Sequence, residues 1–177
     1  MACLSLSGLS RTCGVAVLGG VEKFYAIAYK DLVPVSTATT EVYAVSGNDV
    51  VNDIGVSGTS FVEIELIRET SGLNETYTKE GLVSYFTQTG TLVLGEISVE
   101  NRNFVKSLIN NPVAIIYKSK MGKYYLIGQD GTCEMTASEG GLGTAIGDTN
   151  GYTITFTATA SKPAYIVDES LIPSLIA

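Results

Sequence analysis

From Thr153 to Thr159 the stretch GYTITFTATA, residues 151–160, puts threonine at every second position. A period of two belongs to a β-strand, whose side chains point alternately to opposite faces. The same parity runs through VSYFTQTGTLVLGEI, residues 83–97. There Tyr85, Thr87, Thr89 and Thr91 occupy odd positions, and Phe86, Leu92 and Leu94 occupy even ones. β-Branched and aromatic residues dominate both runs. Each is a strand with one apolar face to bury and one hydroxyl-rich face that water can cover. This pattern commits the chain to a mainly β fold of the sandwich or barrel kind.

The rest of the chain agrees. VEKFYAIAY, residues 21–29, carries apolar residues on both parities and reads as a strand covered on both sides. EVYAV, 41–45, is a short strand before the turn signal SGND. In SFVEIELI, 60–67, Val62, Ile64 and Leu66 share one face, and Glu63 and Glu65 take the other. Residues 68–81 are polar at nearly every position but rich in Thr and Tyr. They read either as a solvated loop or as a strand pairing with 83–97, and the parity of 83–97 favours a long polar hairpin turning near Glu80-Gly81. Residues 98–111 form the one clear helix, with Ser98 as N-cap and Glu100 in its first turn. Phe104 and Leu108 share its buried face, joined by Val105 and Ile109. Asn110, Asn111 and Pro112 end it. Strands at 113–118 and 123–128 follow around a turn at Lys120–Gly122, with a further short strand near 132–137.

The glycine-rich stretch EGGLGTAIGDTNG, 139–151, raises the question of a phosphate cradle. A dinucleotide fingerprint runs from strand through glycine turn to helix, and a P-loop needs a following Lys. The spacing of Gly141, Gly143 and Gly147 fits neither, and a strand follows Gly151. The stretch reads as a flexible connection into the last core strand.

Composition narrows the function. The 177 residues suit one domain, 1–177, with 1–20 as an N-terminal arm and 161–177 as a C-terminal tail. There is no histidine, so a Ser or Cys triad of the usual kind and the commonest metal ligand are both missing. Cys3, Cys13 and Cys133 lack CxxC spacing and read as reduced thiols, not a zinc site. No cofactor or metal is expected. Net charge is −7, which disfavours tight nucleic-acid binding. Only 16% of residues are charged, a hint that part of the surface is covered by a partner. MACLSLSGLSRTCGVAVLGG has no basic cluster ahead of its apolar part, so no signal peptide is expected. No stretch has the ~20 apolar residues of a membrane span. Asn74-Glu75-Thr76 matches a glycosylation acceptor, which carries no weight without secretion. A catalytic site would have to use carboxylates such as Glu63, Glu65, Glu69 and Glu75, and acidic strand faces are far commoner than such sites.

The order of a polar hairpin, one helix, the tight hairpin AIIYKSKMGKYYLIG and the phrase GDTNGYTITFTATASKPAYIV resembles the tail tube proteins of bacteriophages, especially phages of Bacteroidetes-like hosts. The opening MACLSLSG is similar to their short Cys-containing start. The likeness covers residues 60–167. It implies a structural, non-enzymatic virion protein, assembled in the host cytoplasm into stacked homo-hexameric rings. The implied partners are further copies of itself and other tail proteins (tape measure, terminator, baseplate or hub), with DNA only in transit and no membrane. It implies that the long hairpin lines the channel. By parity the lumen-facing residues are then Asn74, Thr76 and Thr78 on one strand and Thr87, Thr89 and Thr91 on the other. The helix is expected to cover an open side of the barrel through Phe104 and Leu108. The loop 46–60, the arm 1–20 and the glycine loop with Gly141, Gly143 and Gly147 are the expected ring-stacking segments. Other ring, neck or tail-completion proteins of the same fold, and a small-molecule-binding barrel, are the rival classes.

Overall fold

A computed structural model describes residues 18–67, 69–145, 147, 148 and 150–176. Cys3, Cys13 and most of the N-terminal arm lie outside them. The elements run β1 (Val21–Ala28), β2 (Tyr43–Val45), β3 (Val50–Ile54), β4 (Val62–Ile64), β5 (Gly72–Glu80), β6 (Val83–Gly95), α1 (Val99–Leu108), β7 (Val113–Ser119), β8 (Tyr124–Ile127), β9 (Glu134–Gly141), β10 (Gly151–Ala160), β11 (Tyr165–Val167) and α2 (Ile172–Leu175). They form a seven-stranded sheet, β2-β3-β11-β8-β7-β1-β4, and a four-stranded sheet, β5-β6-β10-β9. The sheets stay separate, so the β-rich class holds and the architecture is a sandwich, not a closed barrel.

The seven-stranded sheet is apolar on both faces. Phe24 and Ala26 of β1, with Val113, Ile115 and Tyr117 of β7, face Leu92, Leu94, Ile154 and Phe156 of the four-stranded sheet. Tyr25 and Ile27, with Ala114 and Ile116, face a second core completed by Tyr43, Val51, Ile54, Phe61, Ile172 and Leu175. This is why consecutive positions of β1 and β7 are apolar: a strand buried on both sides loses the alternation of a half-exposed one.

Two segments differ from their sequence readings. Residues 46–60 are not simply a loop, because β3 runs through them and buries Val51 and Ile54. Nor is 161–177 a mere tail. β11 inserts between β3 and β8, parallel to β3, and α2 buries Ile172 and Leu175. Both elements belong to the second core.

Helix α1 begins as expected, with the Asn101 N–H donating to Ser98 Oγ at 3.1 Å. Leu108 is buried, and Phe104 and Val105 pack against the inter-sheet core. Ile109 departs from the expected face: the helix ends at Leu108, and Ile109 is 53% exposed. Asn110 turns the chain out with φ 56°, a left-handed conformation that Asn tolerates better than most residues.

Candidate functional site

The four-stranded sheet carries the residues singled out from sequence. β5 and β6 pair antiparallel with Asn74 opposite Thr89, Thr76 opposite Thr87 and Thr78 opposite Tyr85. Directly opposed residues project to one face, so Asn74, Thr76, Thr78, Thr87, Thr89 and Thr91 all share the outer face. Gln88, Gly90, Leu92 and Leu94 take the inner one. Phe86 also lies on the inner parity but is not in the core. It is only half-buried and packs on Tyr77, ring centroids 5.3 Å apart.

The register with β10 widens this face. Thr155 stands opposite Thr91, Thr157 opposite Thr89 and Thr159 opposite Thr87. Three adjacent strands therefore present rows of hydroxyls to one side. β9 adds carboxylates, with Glu139 opposite Thr153 and Glu134 opposite Thr157. Thr136 reaches the Thr157 hydroxyl at 3.0 Å. None of these outer-face positions is Lys or Arg, so the face is neutral to acidic. The alternation of 151–159 marked β10 as a strand. That it lies beside β6 is a long-range fact with no local signal. Glu134 and Glu139 were missed because a bulge between them, opposite Thr155/Phe156, breaks the period.

Among the described residues, neither long edge of this sheet pairs with a further strand. β9 is exposed along almost its whole length, and β5 along most of it. Past Ala160, which stands opposite Phe86, β10 ends and the β5–β6 hairpin continues alone as a two-stranded ribbon. Its turn uses Gly81 with φ 60°, a conformation costly for a residue with a Cβ. Leu82 at the tip is fully exposed and Val83 is 63% exposed.

The hairpin is fastened at its middle. Buried Gln88 donates through Nε2 to Glu75 Oε1 and to the Lys162 carbonyl, each at 3.3 Å. Glu75 Oε1 also accepts from the Ala164 N–H. Gly90 allows close approach of the sheets, since a Cβ there would fall 1.8 Å from Tyr117 Oη. That hydroxyl is buried with no hydrogen-bond partner among the described residues, and burial holds its pKa well above the usual phenol range.

The glycine stretch is shorter as a loop than expected, because Gly141 lies in β9. Beyond it, Asp148 Oδ2 accepts from the Thr144 N–H at 2.7 Å, the Ala145 N–H at 2.8 Å and the Thr144 hydroxyl at 3.0 Å. These bonds, the Thr144 backbone bond first, hold the Asp148 carboxyl below the ordinary aspartate range. Gly143 sits at φ 72° against Asp148, while a Cβ on Gly147 would meet nothing within 4 Å.

The carboxylates considered for catalysis do not converge as a set. Glu63 pairs with Lys23 at 2.8 Å and Glu69 with Lys120 at 3.2 Å. Glu65 lines the same surface groove, and Glu75 is engaged in the other sheet. Among the described residues no three His, Cys, Asp or Glu side chains are grouped to hold a metal. Cys133 is buried, and desolvation pushes its thiol pKa up to about 12. No helix among the described residues is long and apolar enough to cross a membrane. Comparison with protein-family models, curated proteins and solved structures finds no match to this chain.

Proposed function

We propose that the chain is a structural ring-forming protein of a phage tail tube. Its four-stranded sheet joins edge to edge with that of neighbouring copies, and its threonine face lines the bore. One observation carries this reading: a long sheet whose outer face is hydroxyl-rich and whose two edges, β5 and β9, pair with no further strand among the described residues. Exposed long edges invite uncontrolled pairing, and closure into a barrel removes them. Each interface joins the β5 edge of one copy to the β9 edge of the next, a head-to-tail contact that closes by rotation.

The size is consistent with a conduit. Six copies supply roughly 24 strands; at a spacing of ~4.8 Å and a tilt of ~40° they enclose a wall on the order of 45 Å across. Side chains narrow that bore and leave room for a DNA duplex. The chemistry fits passage without binding. Threonines, Asn74, Glu134 and Glu139 offer no cation to neutralise phosphate, so no counterion release favours a stationary complex. In this reading the protein is not an enzyme, its partners are its own copies and the other tail proteins, and it resides in the virion tail after assembly in the host cytoplasm.

Sedimentation across a concentration series, with electron microscopy of the heavy fraction, tests the proposal. Six-fold rings or tubes are expected. A monomer at the highest soluble concentration contradicts it, and twelve-fold rings move the protein to the neck.

A further inference from the structure

The two ends of the four-stranded sheet differ in shape and chemistry. At one end the free ribbon presents Leu82 and Val83, and Tyr77, on the inner face at the ribbon's base, is 56% exposed. Two-stranded ribbons are marginal in water without a packing partner, and an apolar tip on such a ribbon is costly to leave wet. Lys79 also lies on the inner face of the ribbon, opposite Ser84, and makes no ion pair among the described residues.

At the other end of β6 a cleft of about 490 Å³ opens between the β4 segment and helix α1. Val62, Leu66, Leu94 and Phe104 give it an apolar lining, with Val62 59% exposed. Glu65 and Glu100 stand on its rim and make no ion pair among the described residues. Leu82 and the cleft are separated by the length of β6, thirteen residues, or about 40 Å at the usual strand rise.

We infer that the hairpin tip of one copy docks in the β4–α1 cleft of the next copy along the assembly axis. Leu82 and Val83 meet Val62, Leu66 and Phe104, while Lys79 approaches Glu65 and Glu100. The two surfaces lie at opposite ends of one strand, so the contact cannot be satisfied within a chain. It is heterologous and repeats by translation, extending a stack without limit. On the inner face Lys79 complements the cleft's Glu65 and Glu100, while Glu80 faces the other side and accepts from the Tyr85 hydroxyl at 3.4 Å; the partly open cleft matches the part of the hairpin that has no sheet beside it. This inference rests on the ring reading above and adds an axial partner surface to it.

The test uses full-length protein with Cys3→Ser and Cys13→Ser. In this background Leu82→Cys with Val62→Cys should oxidise to a ladder of cross-linked species beyond the dimer, and neither single cysteine should pass the dimer. Leu82→Asp alone should keep the melting temperature and the rings but lose stacked tubes. Lys79→Glu should shorten tubes several-fold, and adding Glu100→Lys should restore them. Normal stacking of Leu82→Asp, or assembled protein without the ladder, overturns the inference. A ladder formed without rings supports the axial contact and sinks the ring reading, so the two failures are distinguishable.

Discussion

Ile116 in β7 and Thr89 in β6 both sit in mid-strand, yet Ile116 is 1% exposed and Thr89 faces outward on an uncovered sheet. The seven-stranded sheet is covered on one side by the four-stranded sheet and on the other by Phe61 and α2, against which its own strands β2 and β3 also turn Tyr43, Val51 and Ile54. Both of its faces are buried within the chain. The four-stranded sheet buries its inner face and, at one end of β6, Val93, and leaves the rest of its outer face and, among the described residues, both edges open. The difference separates two tasks: one sheet holds the fold, and the other supplies a surface fitted to assembly.

The sharpest break of this comparison is a charge placed on each sheet. Ile116→Asp and Leu108→Asp should each cost at least the ~2–5 kcal/mol of losing a large buried aliphatic, with an unpaired buried charge added. Thermal or urea unfolding should show loss of the native transition or a large fall in its midpoint. An unchanged midpoint for Leu108→Asp would show that α1 does not seal the inter-sheet core.

A smaller effect is expected where the two sheets touch most closely. Gly90→Ala drives a methyl into Tyr117, and overpacking of this kind costs about 1–3 kcal/mol. Tyr117→Phe removes a buried hydroxyl that has no partner among the described residues, so it should be neutral or mildly stabilising. Combined, the pair should lose less than the sum. Additive losses would mean that the sheets do not meet at this point.

Acid acts on the loop between β9 and β10 through Asp148. The folded pKa of Asp148 is lowered by its bonds to Thr144 and Ala145. The stability it contributes is therefore present above the ordinary value of 3.8 and is lost as pH falls through the lower folded value. Protection of the Thr144 and Ala145 amides, taken relative to the intrinsic exchange rate at each pH, should fall on acidification below that range, and Asp148→Asn should weaken the pH response. Exchange at β6 amides should not follow it.

The smallest effect on folding is expected at Thr89. Thr89→Lys should change stability by less than about 0.5 kcal/mol, as at most exposed positions, since the lysine stem can lie along the wall. In assembled tails it places a cation at every subunit, so DNA ejection should slow at low salt and recover at high salt. Normal ejection at low salt would remove Thr89 from the bore.

These contrasts also explain what could be read from the chain. Parity alone put Thr87, Thr89 and Thr91 on one face, because a strand fixes that locally. Asn74, Thr76 and Thr78 joined them because the turn near Gly81 sets the hairpin register. The C-terminal strand was not readable. Tyr165–Val167 has three residues, and its place between β3 and β8 depends on distant partners. β3 was hidden for a similar reason, since VVNDI breaks its apolar pattern with two polar residues. Thr155 and Thr157 were visible as a strand but could be given a face only once β10 was known to lie beside β6.

The central claim, that the open sheet closes through its edges, is tested most directly by hydrogen exchange at low and high protein concentration. Amides of β5 and β9 should gain protection as the protein self-associates, while those of β2 and β4, the edges of the seven-stranded sheet, should change little. Self-association without added protection at β5 and β9, or with protection confined to β2 and β4, would contradict the account.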